Sequence, residues 1–306
     1  MRLLEFNNFF PTEESCVVYL RKKREEAGIV CKRCGKEKHY WVNSLLRWEC
    51  AGCKACITLK SGTIMEKSHM PLRVWFMAIH LMSSTKKNIS ALEVQRQVGW
   101  KRYEPVWAMM HKIRAGMGKR DALYQLKNVI EADDAFFKVY NIERDKDEPL
   151  KRGRGSQEQA SVLIMVESEH NPEQDKKYKK GRSVGYAKML VMNELKVSDI
   201  DMETELGIHP ESKVLTDGYK GYNGLAGIVS EHVKMIVPPK EASKMLPWVH
   251  TMISNAKRGL LGIHHSIGKE YLQNYLNEFC YKLNRRNFKT DLFDRLMVAS
   301  ISNTWN

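Results

Sequence analysis

The chain has 306 residues, 43% of them hydrophobic, and a formal net charge of +14. Its length and composition are ordinary for a soluble protein of two or three domains, but so much positive charge favours a polyanionic partner, either nucleic acid or an anionic membrane. The longest apolar stretch, residues 74–82, is far shorter than the ~20 residues that cross a bilayer, and no signal-peptide pattern is present. We therefore expect a cytoplasmic protein that binds nucleic acid and no membrane.

Residues 1–27 are predicted to form an adaptor segment. Pro11, Thr12 and the two glutamates that follow are a helix-start signal, and the basic run Arg21–Arg24 ends the helical stretch. The pattern indicates packing and predicts no further role.

Residues 28–60 carry the strongest local pattern. Cys31, Cys34, Cys50 and Cys53 form two C-x-x-C pairs, which in a large intracellular chain favour a metal site over disulfides. Four thiolates close a tetrahedral site, so we expect a zinc ribbon with a structural Zn²⁺. Reduced cysteines in a small core are the alternative. Cys56 is a second candidate for the fourth ligand, although its spacing favours a spare thiol.

Residues 61–124 are strongly basic. Over residues 60–120 there are twelve lysines and arginines but only three glutamates. Pro71 is predicted to begin one helix, Ser90 to cap a second that ends at Gly99, and a third to begin near Pro105. Helix, glycine turn and helix suggest a helix-turn-helix that binds DNA. A structural three-helix spacer would share the same apolar periodicity.

The next strand, at residues 128–139, carries three carboxylates: Glu131, Asp133 and Asp134. Buried carboxylates are costly without a positive partner, and a divalent metal is one such partner. An edge strand with its acids in water is the alternative. A second apolar run ends at Asp217, and two aspartates at the ends of separate strands can meet at one sheet edge and bind Mg²⁺ or Mn²⁺.

The order of elements in residues 125–290 is three strands, helix, strand, helix, strand and helices, as expected of a ribonuclease-H-like domain. In that fold the first and fourth strands are adjacent, which would bring Asp133 and Asp217 together. Residues 291–306 are predicted to form a C-terminal helix. We thus expect an α+β multidomain protein with a zinc ribbon, a helix-turn-helix-like region and a mixed sheet flanked by helices. Two polar loops are predicted, at residues 141–160 and 167–182.

Together these motifs resemble the zinc-ribbon transposases of bacterial insertion sequences that have a DDE-type catalytic domain. The resemblance covers roughly residues 10–290 and is more specific than any single motif. It is carried by Cys31–Cys53, Ser61–Phe76, Glu131–Asp134, Thr216–Tyr219 and Val249–Arg286.

The resemblance implies metal-dependent cleavage at transposon ends and strand transfer into target DNA. It implies two Mg²⁺ or Mn²⁺ ions held by Asp133, Asp217 and a third residue, which in most relatives is glutamate and here is Asn255. A subgroup with asparagine has a basic residue shortly after it. Arg258 shares a helix face with Asn255 while Lys257 is turned away, so Arg258 is the better candidate to reach the phosphate. Asn255 as a helix-start residue is the alternative.

Because such transposases pair two DNA ends, the resemblance also implies at least a homodimer on double-stranded DNA, associated with the bacterial nucleoid. Two other functions remain open. A DNA-binding regulator that has lost catalysis is one, because asparagine adds no charge to the metal site. A ribonuclease-H-like nuclease that cleaves without joining strands is the other.

Overall fold

The computed structural model describes residues 1–140, 149, 151, 156–170, 181–236 and 245–305, so the two predicted polar loops lie largely outside the described residues. The chain divides into two compact units. The first contains Met1–Arg120 and Asn287–Asn306, and the second contains Asp121–Arg286. Among the described residues, no helix combines the length and apolarity needed to span a membrane.

The first unit is helical apart from a small sheet. An aromatic core joins its two chain segments, because Phe293 lies 5.5 Å from Phe10 and 6.0 Å from Phe76 between ring centroids. Its helices are α1 (Leu3–Phe9), α2 (Glu13–Ala27), α3 (Leu72–Ser84), α4 (Ala91–Val98), α5 (Tyr103–Asp121, whose last residue is assigned to the second unit) and the C-terminal helix, named α9 below (Leu292–Ile301).

Helix α4 has the predicted ends. The Ser90 hydroxyl accepts the Glu93 N–H at 3.1 Å and caps α4, and Gly99 ends that helix with φ of +66°. Glycine is favoured at a left-handed position after a helix, because it has no Cβ that would clash with the backbone. The following helix, α5, begins at Tyr103, two residues before the predicted Pro105.

The small sheet has the antiparallel order β1 (His39–Val42), β2 (Arg47–Cys50) and β3 (Cys56–Thr58). Trp41 and Trp48 lie opposite each other across β1 and β2, with ring centroids 4.9 Å apart. Helix α2 packs on this sheet, because the Arg21 guanidinium lies 4.8 Å from the Trp41 ring centroid and that of Arg24 lies 5.6 Å from Trp48. Residues 1–27 thus support the ribbon by cation–π contacts.

The second unit is built on a five-stranded sheet of order β6–β5–β4–β7–β8. The first three strands along the chain are antiparallel neighbours, and β7 and β8 add parallel to β4. This is the strand arrangement expected of a ribonuclease-H-like fold. Its elements are β4 (Val129–Lys138), β5 (Gln159–His170), β6 (Arg182–Met192), α6 (Val197–Gly207), β7 (Lys213–Thr216), a 3₁₀ helix (Lys220–Gly227), β8 (Glu231–Lys234), α7 (Pro247–Leu261) and α8 (Leu272–Asn284).

Successive side chains of β4 point to opposite faces of the sheet, and the core of the second unit accordingly has two layers. Ala135 and Phe137 pack on one face in a cluster with residues of α7 and α8, whereas Ile130 and Ala132 pack on the other with residues of α6 and the 3₁₀ helix. Side chains two residues apart on a strand share a face. Odd-numbered residues of β4 therefore face α7, and that includes Glu131 and Asp133.

Candidate active site and four-cysteine site

The ribbon brings the four predicted cysteines together. The sulfur atoms of Cys31, Cys34, Cys50 and Cys53 all lie within 4.8 Å of one another. The closest pairs are Cys31 with Cys53 at 3.6 Å and Cys34 with Cys50 at 3.5 Å. Four sulfurs bound tetrahedrally at about 2.3 Å from zinc would lie at comparable separations, so the donor set fits Zn²⁺. Cys56 is exposed and lies outside this group.

The two cysteine pairs have the same backbone hydrogen bonds. Gly35 N–H donates to Cys31 C=O at 2.8 Å, and Lys54 N–H donates to Cys50 C=O at 3.1 Å. Each turn ends in a left-handed residue, Gly35 at φ of +70° and Lys54 at +59°. The two turns therefore have the same conformation. Together they bring the sulfurs of both cysteine pairs into one local site.

Backbone N–H groups also favour the thiolate form in this site. Those of Cys53 and Gly52 lower the pKa of the Cys50 thiol to about 6, and that of Arg33 is the main cause lowering the pKa of Cys31. Thiolates, and not thiols, are the metal ligands. The pKa of Cys34 is raised to about 12, because a hydrogen bond from the Lys36 N–H, which lowers it, is outweighed by contacts with the Cys50 and Cys53 thiols. The backbone therefore favours the thiolate form of Cys50 and Cys31 but not that of Cys34.

A second site lies where β4 and β7 run side by side. Their parallel register pairs Val129 with Lys213 and Glu131 with Leu215. The same register continued by two positions pairs Asp133 with Asp217, which directly follows β7, and the charge of Asp217 acts on the Asp133 carboxyl. The structure therefore brings the two predicted aspartates to one edge of the sheet.

Asp133 lacks a strong positive partner. Burial, opposed by a hydrogen bond from the Asp134 N–H and assisted by the charges of Asp134 and Asp217, raises its pKa to about 7. Within the described part of the chain, neither Asp133 nor Asp217 forms an ion pair with lysine or arginine; Asp133 has only His250, whose Nδ1 lies 3.8 Å from its carboxylate. Two close carboxylates without a cationic side chain fit a divalent metal chemically.

Helix α7 carries the remaining predicted residues. Arg258 donates from Nη2 to Asn255 Oδ1 at 2.8 Å, so these two side chains share a face as the helical period predicts. Asn255 lies inside the helix, so it is not a helix-start residue. An amide oxygen has two acceptor sites, and this contact leaves one for a metal. The Lys257 ammonium lies 5.4 Å from the Phe137 ring centroid, and burial lowers the pKa of its amine.

Three residues near the aspartates have contacts that sequence analysis did not assign. His250 contacts Asp133 from α7. Tyr222, fully buried in the 3₁₀ helix, has its pKa raised by burial and then by the charges of Asp134 and Asp133. Glu131 is 1% exposed, and its Oε2 accepts the N–H groups of α7. Of the three, only Glu131 was singled out by the sequence, as one of the three carboxylates of its strand.

Comparisons with known proteins agree with this architecture. The family model described as the ISXO2-like transposase domain matches residues 125–284. A protein from Halobacterium salinarum, described as an uncharacterised protein in transposable element ISH50, is 24% identical over 285 residues, which cover 88% of this chain and 90% of that protein.

Two solved structures of Mos1 are also similar to parts of the chain. The Mos1 mariner paired-end complex with Mn has a TM-score of 0.29 at 11% identity and covers 70% of this chain and 75% of its own. A pre-cleavage Mos1 transpososome has a TM-score of 0.27 at 8% identity, with coverages of 74% and 77%. The family model alone spans more than half of the 306 residues, and the chain therefore belongs to the family of ISXO2-like transposase domains.

Proposed function

We propose that the chain is a DNA transposase that cleaves DNA at the ends of its insertion sequence and joins the cut strand to target DNA. Asp133, Asp217 and Asn255 would hold Mg²⁺ or Mn²⁺, and Cys31, Cys34, Cys50 and Cys53 would hold a structural Zn²⁺. The observation that carries this proposal is the parallel register that sets Asp133 beside Asp217. The family to which the chain belongs supports it.

Each residue has a separate task in this proposal. Divalent cations at this site would supply activation of the attacking water or 3′-hydroxyl and stabilisation of the leaving oxygen. Asp133 and Asp217 contribute negative charge and oxygen ligands from rigid strands, and Asn255 contributes a neutral oxygen. Arg258 is exposed and adjacent to Asn255, so it is placed to offset charge on the phosphate. Lys257 rests on Phe137 and is the weaker candidate for that task.

The first unit is proposed to bind the DNA. Lys101 and Arg102 are exposed just before α5, the second helix of the helix-turn-helix. Such residues reach DNA when the second helix lies in a groove. The alternative of a non-catalytic regulator is favoured by Asn255, whose neutral amide holds a cation less strongly than a carboxylate.

Cleavage of labelled DNA tests the proposal. Duplexes carrying the genomic segments that flank the coding region are incubated with the protein and Mn²⁺, beside Asp217→Ala and the control Glu211→Ala, which removes an exposed carboxylate just before β7. We expect breakage and strand joining with wild type and Glu211→Ala, and DNA binding alone with Asp217→Ala. Equal breakage in all three proteins would contradict the site. DNA binding without strand breakage in all three proteins would favour the non-catalytic regulator. Strand breakage without joining to target DNA would favour the ribonuclease-H-like nuclease.

A further inference from the structure

Glu131 joins strand β4 to the first turn of α7. Its carboxylate Oε2 accepts the backbone N–H of Trp248 at 2.7 Å and that of Val249 at 3.0 Å. The two segments are 117 residues apart in sequence. Glu131 is 1% exposed, so these hydrogen bonds are shielded from water.

The contact replaces a missing helix cap. Helix α7 begins at Pro247, and Leu246 before it has no side chain that can accept a hydrogen bond. Proline has no N–H, so Trp248 and Val249 carry the first two backbone N–H donors of the helix, and one distant carboxylate accepts both. A negative charge there is also favoured by the helix dipole.

The same two elements carry the candidate active site. Asp133 lies two residues after Glu131 on the same face of β4, and α7 carries His250 and Asn255. His250 is the residue directly after Val249, and it contacts Asp133 at 3.8 Å. The bonds from Glu131 therefore fix the start of α7 on the strand that supplies the first aspartate.

We propose that Glu131 is a positioning residue that sets the location of Asn255 relative to Asp133 and Asp217, and thereby the affinity of the site for divalent cations. It does not touch the metal itself. The inference rests on the proposed function for the identity of the site. A partner that orients ligands in this way affects metal affinity without being a ligand.

The first unit offers a matched control. Glu13 Oε1 accepts the N–H of Leu72 at 2.6 Å, and its Oε2 accepts that of Arg73 at 2.8 Å, at the start of α3. Pro71 precedes this helix, and again no local side chain caps it. Glu13 and Glu131 thus each accept two backbone N–H groups at a helix start, but of these two helices only the one capped by Glu131 carries candidate ligands.

The experiment compares the zinc-loaded full chain with Glu131→Ala, Glu131→Gln, Glu13→Ala and Asp217→Ala. Mn²⁺ binding is measured by electron paramagnetic resonance, and amide hydrogen exchange is measured at Trp248 and Val249. We expect Glu131→Ala to weaken Asp217-dependent Mn²⁺ binding about tenfold and to speed exchange at both amides. Glu131→Gln keeps an acceptor oxygen, so its loss of Mn²⁺ affinity should be smaller than that of Glu131→Ala. Glu13→Ala should leave Mn²⁺ binding unchanged.

Three outcomes separate this inference from the proposed function. Wild-type Mn²⁺ affinity in Glu131→Ala overturns the inference, as does equal weakening in Glu13→Ala, which would indicate general destabilisation. Selective weakening by Glu131→Ala in a protein that never cleaves DNA supports the inference and contradicts the proposed function. Absence of Asp217-dependent Mn²⁺ binding in wild type overturns both. If Glu131→Ala does not fold, Glu131→Gln decides by the same criteria.

Discussion

The four-cysteine site and the aspartate site both gather acidic groups, but backbone N–H groups favour the charged forms of Cys50 and Cys31, whereas burial disfavours that of Asp133. In the ribbon, nearby backbone N–H groups lower the pKa of Cys50 to about 6. At the sheet edge, burial raises the pKa of Asp133 to about 7. In the first site, turns formed by neighbouring residues supply N–H groups to two of the sulfurs, whereas in the second the charge of the carboxylates is relieved by a proton or by a bound cation. A structural metal fits the first site and an exchangeable catalytic metal fits the second.

The largest effect is expected from removing a ribbon ligand. Cys50→Ser should abolish zinc binding and unfold the ribbon, because a structural zinc contributes about 10 kcal/mol or more to such folds. Zinc content and thermal unfolding measure the result. Cys56→Ser removes an exposed thiol outside the group and should keep full zinc content. Zinc loss in Cys56→Ser would mean that the ligand set is wrong.

The next largest effect concerns the aspartate site alone. Asp133→Asn keeps the shape of the side chain but removes its charge, so it should lower DNA cleavage about 10³-fold, since charge stabilisation by a bound metal is worth several kcal/mol. Zinc content should not change. Gel analysis of labelled DNA gives the rate, and cleavage within a few-fold of wild type would exclude Asp133 as a ligand.

The same substitution should stabilise the protein when the aspartate site holds no divalent metal. Because the pKa of Asp133 rises from its ordinary 3.8 to about 7 on folding, the folded state retains a proton that the unfolded chain loses, and wild-type stability falls as pH rises from 4 to 7. Asp133→Asn should therefore be about 4 kcal/mol more stable than wild type at pH 8, in zinc-loaded protein without Mg²⁺ or Mn²⁺, and close to it in stability at pH 4. Denaturant titration at both pH values measures this. A constant difference between the two pH values would contradict it.

The smallest effect is expected at the neutral ligand. Asn255→Asp adds a carboxylate that a cation should favour, so Mn²⁺ affinity should increase about tenfold, or about 1.4 kcal/mol. Calorimetry measures the change. Ser254→Asp places the same charge on the adjacent exposed residue and serves as the control. An equal gain in both variants would indicate general attraction by negative charge.

Sequence predicts the two sites to different extents. The cysteine site follows from spacing, because all four ligands lie within residues 31–53 and each pair closes by local hydrogen bonds. The proximity of Asp133 and Asp217 needed a fold as well, since it depends on which strands are adjacent. The bond from Glu131 to α7 was not predicted, because no local pattern shows which helix start a distant carboxylate will meet. The order of the strands was predicted, but the ends of β8 at Glu231 and Lys234 are determined by its pairing with β7.

The C-terminal helix α9 has a consequence for synthesis. Phe293 completes the aromatic core around Phe10 and Phe76, and the Ile64 N–H donates to the Ser300 carbonyl at 3.1 Å. Because α9 follows the second unit in sequence, these contacts can form only after the whole second unit has been synthesised. Until then the nascent N-terminal segment exposes an unfilled aromatic surface, which favours chaperone binding or aggregation. The second unit, contiguous in sequence, can complete its own folding first.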